Sequence, residues 1–219
     1  MARNWSDLST DAQNKARSIY SWLYALFGNP YGASCIMGNI WIESASTFDG
    51  RIIQGQTEAT LDTICQPYVD AINNGTISRN QFAHDSQGGG GFGLCQWTWY
   101  TRKEGLYDYC FNNGYNNIGL NVMQVQWIHE EMQNGYSSTY NAVITATEQN
   151  MFDVTRAVMI NYESPRDQSY AKQVDRFNAS VAVYNACSGE PPIDPPLPNR
   201  RIWLYAHNEM KKRKNNYFI

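Results

Sequence analysis

Apolar side chains recur every three or four residues along most of the chain, which is the spacing of helices that bury one face. The clearest stretch runs from Ala12 to Phe27; Thr10 with Gln13 resembles a capping box at its start, and Gly28-Asn29-Pro30 marks its end. Similar spacing predicts further helices at residues 33–44, 61–72, 100–111, 120–132, 154–162 and 170–184. We therefore expect a chain made mainly of packed helices.

Two stretches in the middle of the chain do not fit this pattern. Residues 48–56 are rich in turn formers around the β-branched pair Ile52-Ile53, and residues 87–93 contain five glycines. Glycine is costly in a helix interior because it loses more backbone entropy than other residues. We therefore predict an α+β fold that is predominantly α-helical, with a minor β-hairpin region here.

Prolines divide the chain near its end. Five of the eight prolines lie between residues 191 and 198, which predicts an extended linker. The predicted organisation is one folded domain at residues 1–187, a Pro-rich linker at 188–199 and a basic, aromatic C-terminal tail at 200–219. Six Lys or Arg and one Glu give this tail a net charge of +5.

Composition excludes several classes of protein. Residues 1–199 have a net charge of −8, which disfavours nucleic-acid binding. No apolar run approaches the length of a membrane span, and the first residues lack a Sec-type signal pattern. Five cysteines without a C-x-x-C pair, and three histidines, predict buried free thiols. We expect no metal, no cofactor and no membrane partner.

Glu43 is the first candidate for chemistry. It lies in the last turn of the predicted second helix, at the border of the apolar face. The negative end of a helix and partial burial both favour the protonated form of a carboxyl group, which a general acid requires. An exposed glutamate at a helix end is the alternative that spacing alone leaves open.

Residues 91–98, called the glycine strip here, are the second candidate. Glycines allow the backbone to approach a ligand closely, and the nearby aromatic side chains offer flat surfaces for sugar rings. Gly88, Gly90 and Gly93 form a G-x-G-x-x-G pattern, but no β-strand precedes it and no acidic residue follows at the distance of a dinucleotide site. A cysteine nucleophile remains a minor alternative, since no histidine has a recognisable protease context.

Three motifs in this order resemble the phage tail lysozymes, a family in the lysozyme-like superfamily, over about residues 17–183. Goose-type lysozymes and lytic transglycosylases are similar more distantly. The family's Met-Gly-Asn-x-x-x-Glu-Ser, Gly-Tyr-Gly-Leu-Gly-Gln-Trp-Thr and Tyr-Glu-x-Pro motifs are matched by residues 37–44, 91–98 and 162–165. Arg102 and Lys103 follow the second motif, and Arg176 follows the third. Cys95 stands where the family usually has glycine, and residues 49–85 form a longer stretch than usual, a potential lid or rim.

The resemblance implies a lysozyme-like fold and roles for individual residues. Glu43 would be the catalytic acid, with Asp85 as the best second carboxylate and Glu163 and Asp49 as rivals. The residues expected to contact substrate are Gly93, Gln96, Trp97, Tyr162 and Glu163. Alternatively, Trp97 packs beneath the glycine strip.

The resemblance also implies an activity and a location. We expect a muramidase that cleaves the β-1,4 bond between N-acetylmuramic acid and N-acetylglucosamine, on a phage tail during DNA entry. A lytic transglycosylase with the same site, and an inactive structural or wall-binding module, are the alternatives. For the location alone, an endolysin that acts at lysis is a further alternative. Peptidoglycan and other phage tail proteins are the expected partners, the latter through the C-terminal tail, which alternatively contacts anionic wall polymers or is disordered.

Overall fold

The structure, a computed structural model, describes residues 3–84 and 90–189. Within these ranges the chain is predominantly helical, as predicted. The α-helices are α1 Thr10–Phe27, α2 Pro30–Glu43, α3 Gln66–Asn73, α4 Arg79–His84, α5 Tyr100–Asn112, α6 Asn121–Gly135, α7 Ser137–Ile144, α8 Met151–Ala157 and α9 Tyr170–Cys187. Single 3-10 turns lie at Trp5–Asp7, Glu58–Thr60 and Glu148–Asn150, and π-helical turns at Leu61–Cys65 and Val158–Glu163. None of these described helices combines the length and apolar character that a membrane span needs.

Helix α1 buries the apolar face that was predicted, but its N-cap differs from the predicted one. The side chain of Ser9, not Thr10, accepts the hydrogen bond from the Ala12 backbone amide, at 3.1 Å. Gly28 ends α1 in the left-handed conformation, with φ of 69°. The helices α4 and α7 were not predicted, because both are short and their apolar spacing is weak.

The predicted hairpin is not confirmed. Among the described residues there is no β-strand, only two isolated antiparallel bridges, Ile53 with Phe92 and Phe92 with Trp97. Gly93 and Gln96 between the second pair have φ of 77° and 46°, which belong to a tight turn and not to extended strands. The α+β prediction is therefore confirmed only in its helical part.

The domain division stays a prediction. Helix α9 ends at Cys187, where the predicted domain ends. Most of the predicted linker, from residue 190 onward, and the whole tail at 200–219 lie outside the described residues.

Helix α2 forms the centre of the fold. Residues 32–41 are all buried, and α1, α7, α8 and α9 pack around them. A helix that is apolar around most of its circumference is expected to be enclosed in this way. At Gly38 the backbone of α9 approaches so closely that an added Cβ would lie 2.1 Å from Ser180 Oγ and 2.5 Å from the Arg176 carbonyl oxygen.

Replacement of Gly38 by alanine is expected to lower the free energy of unfolding by about 1–3 kcal/mol, because the added methyl group overpacks the contact with α9. This loss exceeds the gain of about 1 kcal/mol that alanine brings to a helix. Gly135→Ala is the matched control, since no atom lies within 4 Å of its added Cβ. Urea unfolding measures both; equal stability of the two variants would contradict the packing argument.

Candidate active site

Glu43 is the last residue of α2 and is paired with a buried arginine. Arg176 Nη2, from α9, donates to Glu43 Oε1 at 2.6 Å, and Arg176 Nη1 donates to Asn39 Oδ1 at 3.2 Å. Asn39 and Glu43 are one turn apart on the same face of α2, so a single guanidinium contacts both. The side chain of Glu43 is 17% exposed. The ion pair fixes the orientation of this carboxylate, and sequence patterns did not predict it.

A second carboxyl group, that of Glu163, lies close enough to interact electrostatically with Glu43 and Arg176. Glu163 is the last residue of the π-helical turn that continues α8, and both its carboxyl oxygens are shielded from solvent. Of the described residues, the Cys95 thiol interacts with this carboxyl group, and no nitrogen or oxygen donor reaches either of its oxygens. Burial and the negative charge of Glu43 raise the pKa of Glu163 to about 8, against the lowering effect of Arg102 and Arg176. Burial and the charge of Glu43 therefore favour the neutral form of Glu163.

A buried carboxylate on α6, Glu131, forms the support beneath the glycine strip. Its Oε2 accepts hydrogen bonds from Trp97 Nε1 at 3.0 Å, Tyr162 OH at 2.7 Å and Arg102 Nη2 at 2.8 Å. Its Oε1 accepts from Arg102 Nε at 2.7 Å. Arg102 also donates to the Tyr162 carbonyl oxygen at 2.9 Å. These bonds join the strip, α5, α6 and the second π-helical turn into one unit.

Two of the residues predicted to contact substrate are enclosed by this unit. Trp97 and Tyr162 are 0% and 1% exposed, and the polar atom of each side chain is bonded to Glu131. Their observed role is therefore to support the strip from beneath, and a contact with substrate stays a prediction for both. A contact with substrate also stays a prediction for Glu163, which is partly exposed as a residue although its carboxyl oxygens are shielded.

The backbone of the strip is held by Gln124 from α6. Its Oε1 accepts from the Leu94 amide at 2.9 Å, and its Nε2 donates to the carbonyl oxygens of Gly50 at 2.7 Å and Ile118 at 2.8 Å. An added Cβ at Gly93 would lie 2.6 Å from Gln124 Oε1, so only glycine fits this position. Gly93 is therefore required by packing, whatever its role toward substrate.

Gln96 is a predicted substrate contact that remains partly exposed. Its Nε2 donates to the carbonyl oxygens of Gly93 at 3.0 Å and Ile52 at 3.3 Å. These bonds fix the side chain at the edge of the strip.

Non-glycine residues with a left-handed backbone are concentrated around this site. Within the described ranges they are Ala45, Ser46, Phe48, Gln96 and Ser164, with φ between 46° and 66°. They lie just after α2, within the strip and just after the second π-helical turn. Such conformations cost free energy and are frequent near functional sites.

Of the candidates Asp85 and Asp49 for the second carboxylate, the structure describes only Asp49. Asp85 lies outside the described residues. Asp49 is buried and accepts from Arg51 Nε and Nη2, each at 2.9 Å, and forms an ion pair with Lys15 at 2.8 Å. Burial opposes ionisation, but Arg51 and Lys15 outweigh it and hold the pKa of Asp49 below its usual range. The carboxylate of Asp49 is thus already engaged in ion pairs with Arg51 and Lys15.

Exposed aromatic side chains follow the strip. Trp99 is 70% exposed and Tyr100 is 50% exposed, and the ring of His84 stacks on Tyr100 at 5.2 Å between centroids. Phe92 is buried, so it does not belong to this surface. Trp99, Tyr100 and His84 are called the aromatic platform below.

The predictions for the cysteines and for metal binding can be compared with the described residues. All five cysteines are free and buried, as predicted, and burial raises the pKa of Cys95 well above its usual value. Within residues 3–84 and 90–189 no group of His, Cys, Asp and Glu side chains is arranged to hold a metal ion.

A groove of about 1070 Å³ between the N-terminal segment and the start of α9 contains none of the predicted site residues.

Glu131 and Gln124 are the important residues that sequence reasoning missed. Both lie on α6, where a polar residue at helical spacing usually faces water. The clue in the sequence is that α6 has several polar residues on otherwise apolar turns, but their partners come from distant segments and no local pattern identifies them.

Comparison with known proteins gives one match. The family model described as phage tail lysozyme matches residues 14–186, most of the chain and all of the site described above. A search of curated proteins and a search of solved structures each gave no match. The chain therefore belongs to the phage tail lysozyme family, and with it to the lysozyme-like proteins that degrade peptidoglycan.

Proposed function

We propose that the chain is a muramidase that hydrolyses the β-1,4 bond between N-acetylmuramic acid and N-acetylglucosamine. The observation that supports this best is the position of Glu43: its carboxylate is fixed by Arg176 at the end of a buried helix, in the motif that matches the family's catalytic glutamate. Paired carboxyl groups are the usual equipment for cleaving glycosidic bonds.

In the proposed reaction Glu43 gives a proton to the oxygen that leaves with the departing sugar. Asp85 is the proposed second carboxylate, which activates water or stabilises the positive charge that develops on the sugar ring. Gln96 at the edge of the strip is proposed to bond the sugar near the scissile bond. Gly93, Trp97 and Tyr162 would keep the strip in position.

A lytic transglycosylase uses the same acid, but the sugar's own 6-hydroxyl replaces water. Digestion of purified peptidoglycan followed by mass spectrometry distinguishes the two reactions. Reducing ends are expected for the muramidase, and 1,6-anhydro ends would reassign the chain to transglycosylation. If the wild-type chain releases neither product from walls of several chemotypes, the proposal fails and an inactive wall-binding module is the better description.

The aromatic platform is the proposed surface for sugar rings next to the catalytic residues. Trp99→Ala is expected to weaken binding of chitooligosaccharides by about 2- to 10-fold, the range of one aromatic stacking contact. Tyr170→Ala is the matched control, because Tyr170 is 71% exposed but lies at the start of α9. Isothermal titration calorimetry measures both; equal affinity of the two variants would remove the platform from the binding site.

The proposed location is the phage tail, where the enzyme would open the wall locally during DNA entry. Mass spectrometry of purified virions tests this. Detection at a fixed copy number per virion is the expected result. Detection only in the lysate would favour an endolysin.

A further inference from the structure

Asn39 is a polar residue of the first motif to which the proposed reaction gives no role. It lies on α2, one turn before Glu43, and is buried. Its Nδ2 donates to the carbonyl oxygens of Cys35 at 2.9 Å and Thr155 at 3.2 Å. Of the two ends of the side-chain amide, only the NH₂ group can donate to these carbonyl oxygens. The amide of Asn39 is therefore fixed with Oδ1 as the end that accepts.

The donor that Oδ1 meets is Arg176 on α9. Arg176 Nη1 donates to Asn39 Oδ1 at 3.2 Å and lies 3.4 Å from the Asn39 carbonyl oxygen, and Arg176 Nη2 donates to Glu43 Oε1 at 2.6 Å. Arg176 is 4% exposed, and its guanidinium group is planar and always charged. One rigid group therefore joins the fixed amide of Asn39 to the carboxyl group of Glu43.

The contact with Arg176 makes the two oxygens of Glu43 unequal. A guanidinium group has donors only, so it bonds to an oxygen that accepts and not to one that carries a proton toward it. In the protonated acid, Oε1 beside Arg176 is then the carbonyl oxygen and Oε2 is the hydroxyl oxygen.

We infer that Arg176, oriented by Asn39, is a positioning residue that places the acidic proton of Glu43 on Oε2, from which it passes to the glycosidic oxygen. The inference rests on the proposed function and deepens it, because it says how the acid is aimed. Asn39 and Arg176 both act through Glu43.

The proton transfer is balanced as follows. The proton leaves Oε2 for the glycosidic oxygen while the bond between that oxygen and the anomeric carbon breaks, and the electron pair of that bond stays with the oxygen. Glu43 is then a carboxylate, with Arg176 already in place as its counter-ion. Water adds its hydroxyl group to the anomeric carbon, and its remaining proton restores the acid.

Arg176→Lys tests the positioning role because lysine keeps the positive charge but lacks the planar fork that contacts both Asn39 and Glu43. On soluble peptidoglycan fragments, kcat is expected to fall by about 10- to 100-fold while KM changes by less than about 2-fold. The assay is run well below the unfolding midpoint of the variant. A purely structural role would then leave kcat at the wild-type value, and this result would overturn the inference.

A double variant tests whether Asn39 acts through Arg176. Asn39→Ala is expected to lower kcat in the same direction as Arg176→Lys. Because the two residues form one unit, the losses are not expected to multiply, and the double variant should have about the kcat of Arg176→Lys alone. Losses that multiply would show that the two residues act separately and would contradict the inference.

Arg3→Gln is the matched control. Arg3 Nε and Nη2 donate to the two carboxylate oxygens of Asp175, each at 3.0 Å, so Arg3 holds α9 at the residue just before Arg176. Its replacement weakens the attachment of α9 but removes no contact with Glu43. A kcat equal to that of the wild type is expected, and a loss as large as that of Arg176→Lys would mean that any disturbance of α9 has the same effect.

A measurement without activity keeps the inference testable if the variants unfold. In 15N-labelled wild-type protein, NMR is expected to show separate signals for the two Nη groups of Arg176, because its bonds to Asn39 and Glu43 prevent rotation of the guanidinium group. Arg166, which is exposed, is expected to give one averaged signal.

The NMR result also separates this inference from the proposed function. An active enzyme with one averaged Arg176 signal would reject the positioning role and keep the function. An inactive wild type with separate signals would reject the function, and with it the role of Arg176 in catalysis.

Discussion

Replacement of Glu43 by glutamine is expected to lower the rate of peptidoglycan cleavage by about 10²- to 10⁴-fold, the usual contribution of a general acid. Glutamine has nearly the same shape, and its Oε1 can still accept the hydrogen bond from Arg176. The loss would therefore come from the missing proton and not from a displaced side chain. Zymography and release of reducing ends measure the effect.

The design of this experiment has to separate catalysis from folding, because Arg176 is 4% exposed and loses its counter-ion in the variant. Thermal unfolding of Glu43→Gln should therefore be measured first, and the assay run well below its midpoint. Glu148→Gln, on the surface, is expected to clear the wall like the wild type. If Glu43→Gln clears the wall as well as Glu148→Gln does, Glu43 is not the acid.

Replacement of Glu131 by glutamine is expected to destabilise the protein by about 3–5 kcal/mol, because it leaves the largely buried guanidinium of Arg102 without a compensating charge. The side chain of Arg102 is 13% exposed. One amide oxygen also cannot replace two carboxylate oxygens for Trp97, Tyr162 and Arg102. Urea unfolding measures the change.

Glu130→Gln provides a control on the same helix. Glu130 is the neighbouring residue, but it is exposed, and its Oε1 accepts from Asn134 on the next turn, at 2.8 Å. Its replacement is expected to change the stability by less than about 0.5 kcal/mol. Unfolding of both variants at the same urea concentration would show that the Glu131 cluster adds nothing to stability.

The sequence predicts the long helices well because their apolar spacing is a local property. The α1 prediction and the end of α2 at Glu43 both follow from the pattern of each helix by itself. Helix α2 is also apolar around most of its circumference, in agreement with its position in the centre of the fold.

The environment of Glu43 was not predictable in the same way. Arg176 is 133 residues away in the chain, and its contact with Glu43 depends on the packing of α9 against Gly38. Glu131 resembles Glu130 in sequence, and only the positions of Trp97, Arg102 and Tyr162 distinguish the buried residue from the exposed one. Contacts between segments far apart in the sequence therefore decide whether such a glutamate is buried or exposed.

The hairpin prediction is not confirmed, for a reason visible at single residues. Glycines and the pair Ile52-Ile53 correctly indicated a non-helical region, and Phe92 does bridge to Ile53 and to Trp97. The intervening residues adopt a tight turn with left-handed backbone, so the bridges do not extend into a ladder.

The close contact at Gly38 gives the spacing of the first motif a physical meaning. Gly38 and Glu43 are separated by about 7.5 Å along the axis of α2 and about 140° around it. Gly38 is fixed where the backbones of α2 and α9 touch, and Glu43 is fixed where its carboxylate meets Arg176. One inserted residue would turn the carboxyl away by about 100° while the rest of the core stayed in register. The five-residue spacing between Gly38 and Glu43 is therefore set by the packing of α2 against α9, and an insertion or deletion between them is expected to displace the carboxylate from Arg176.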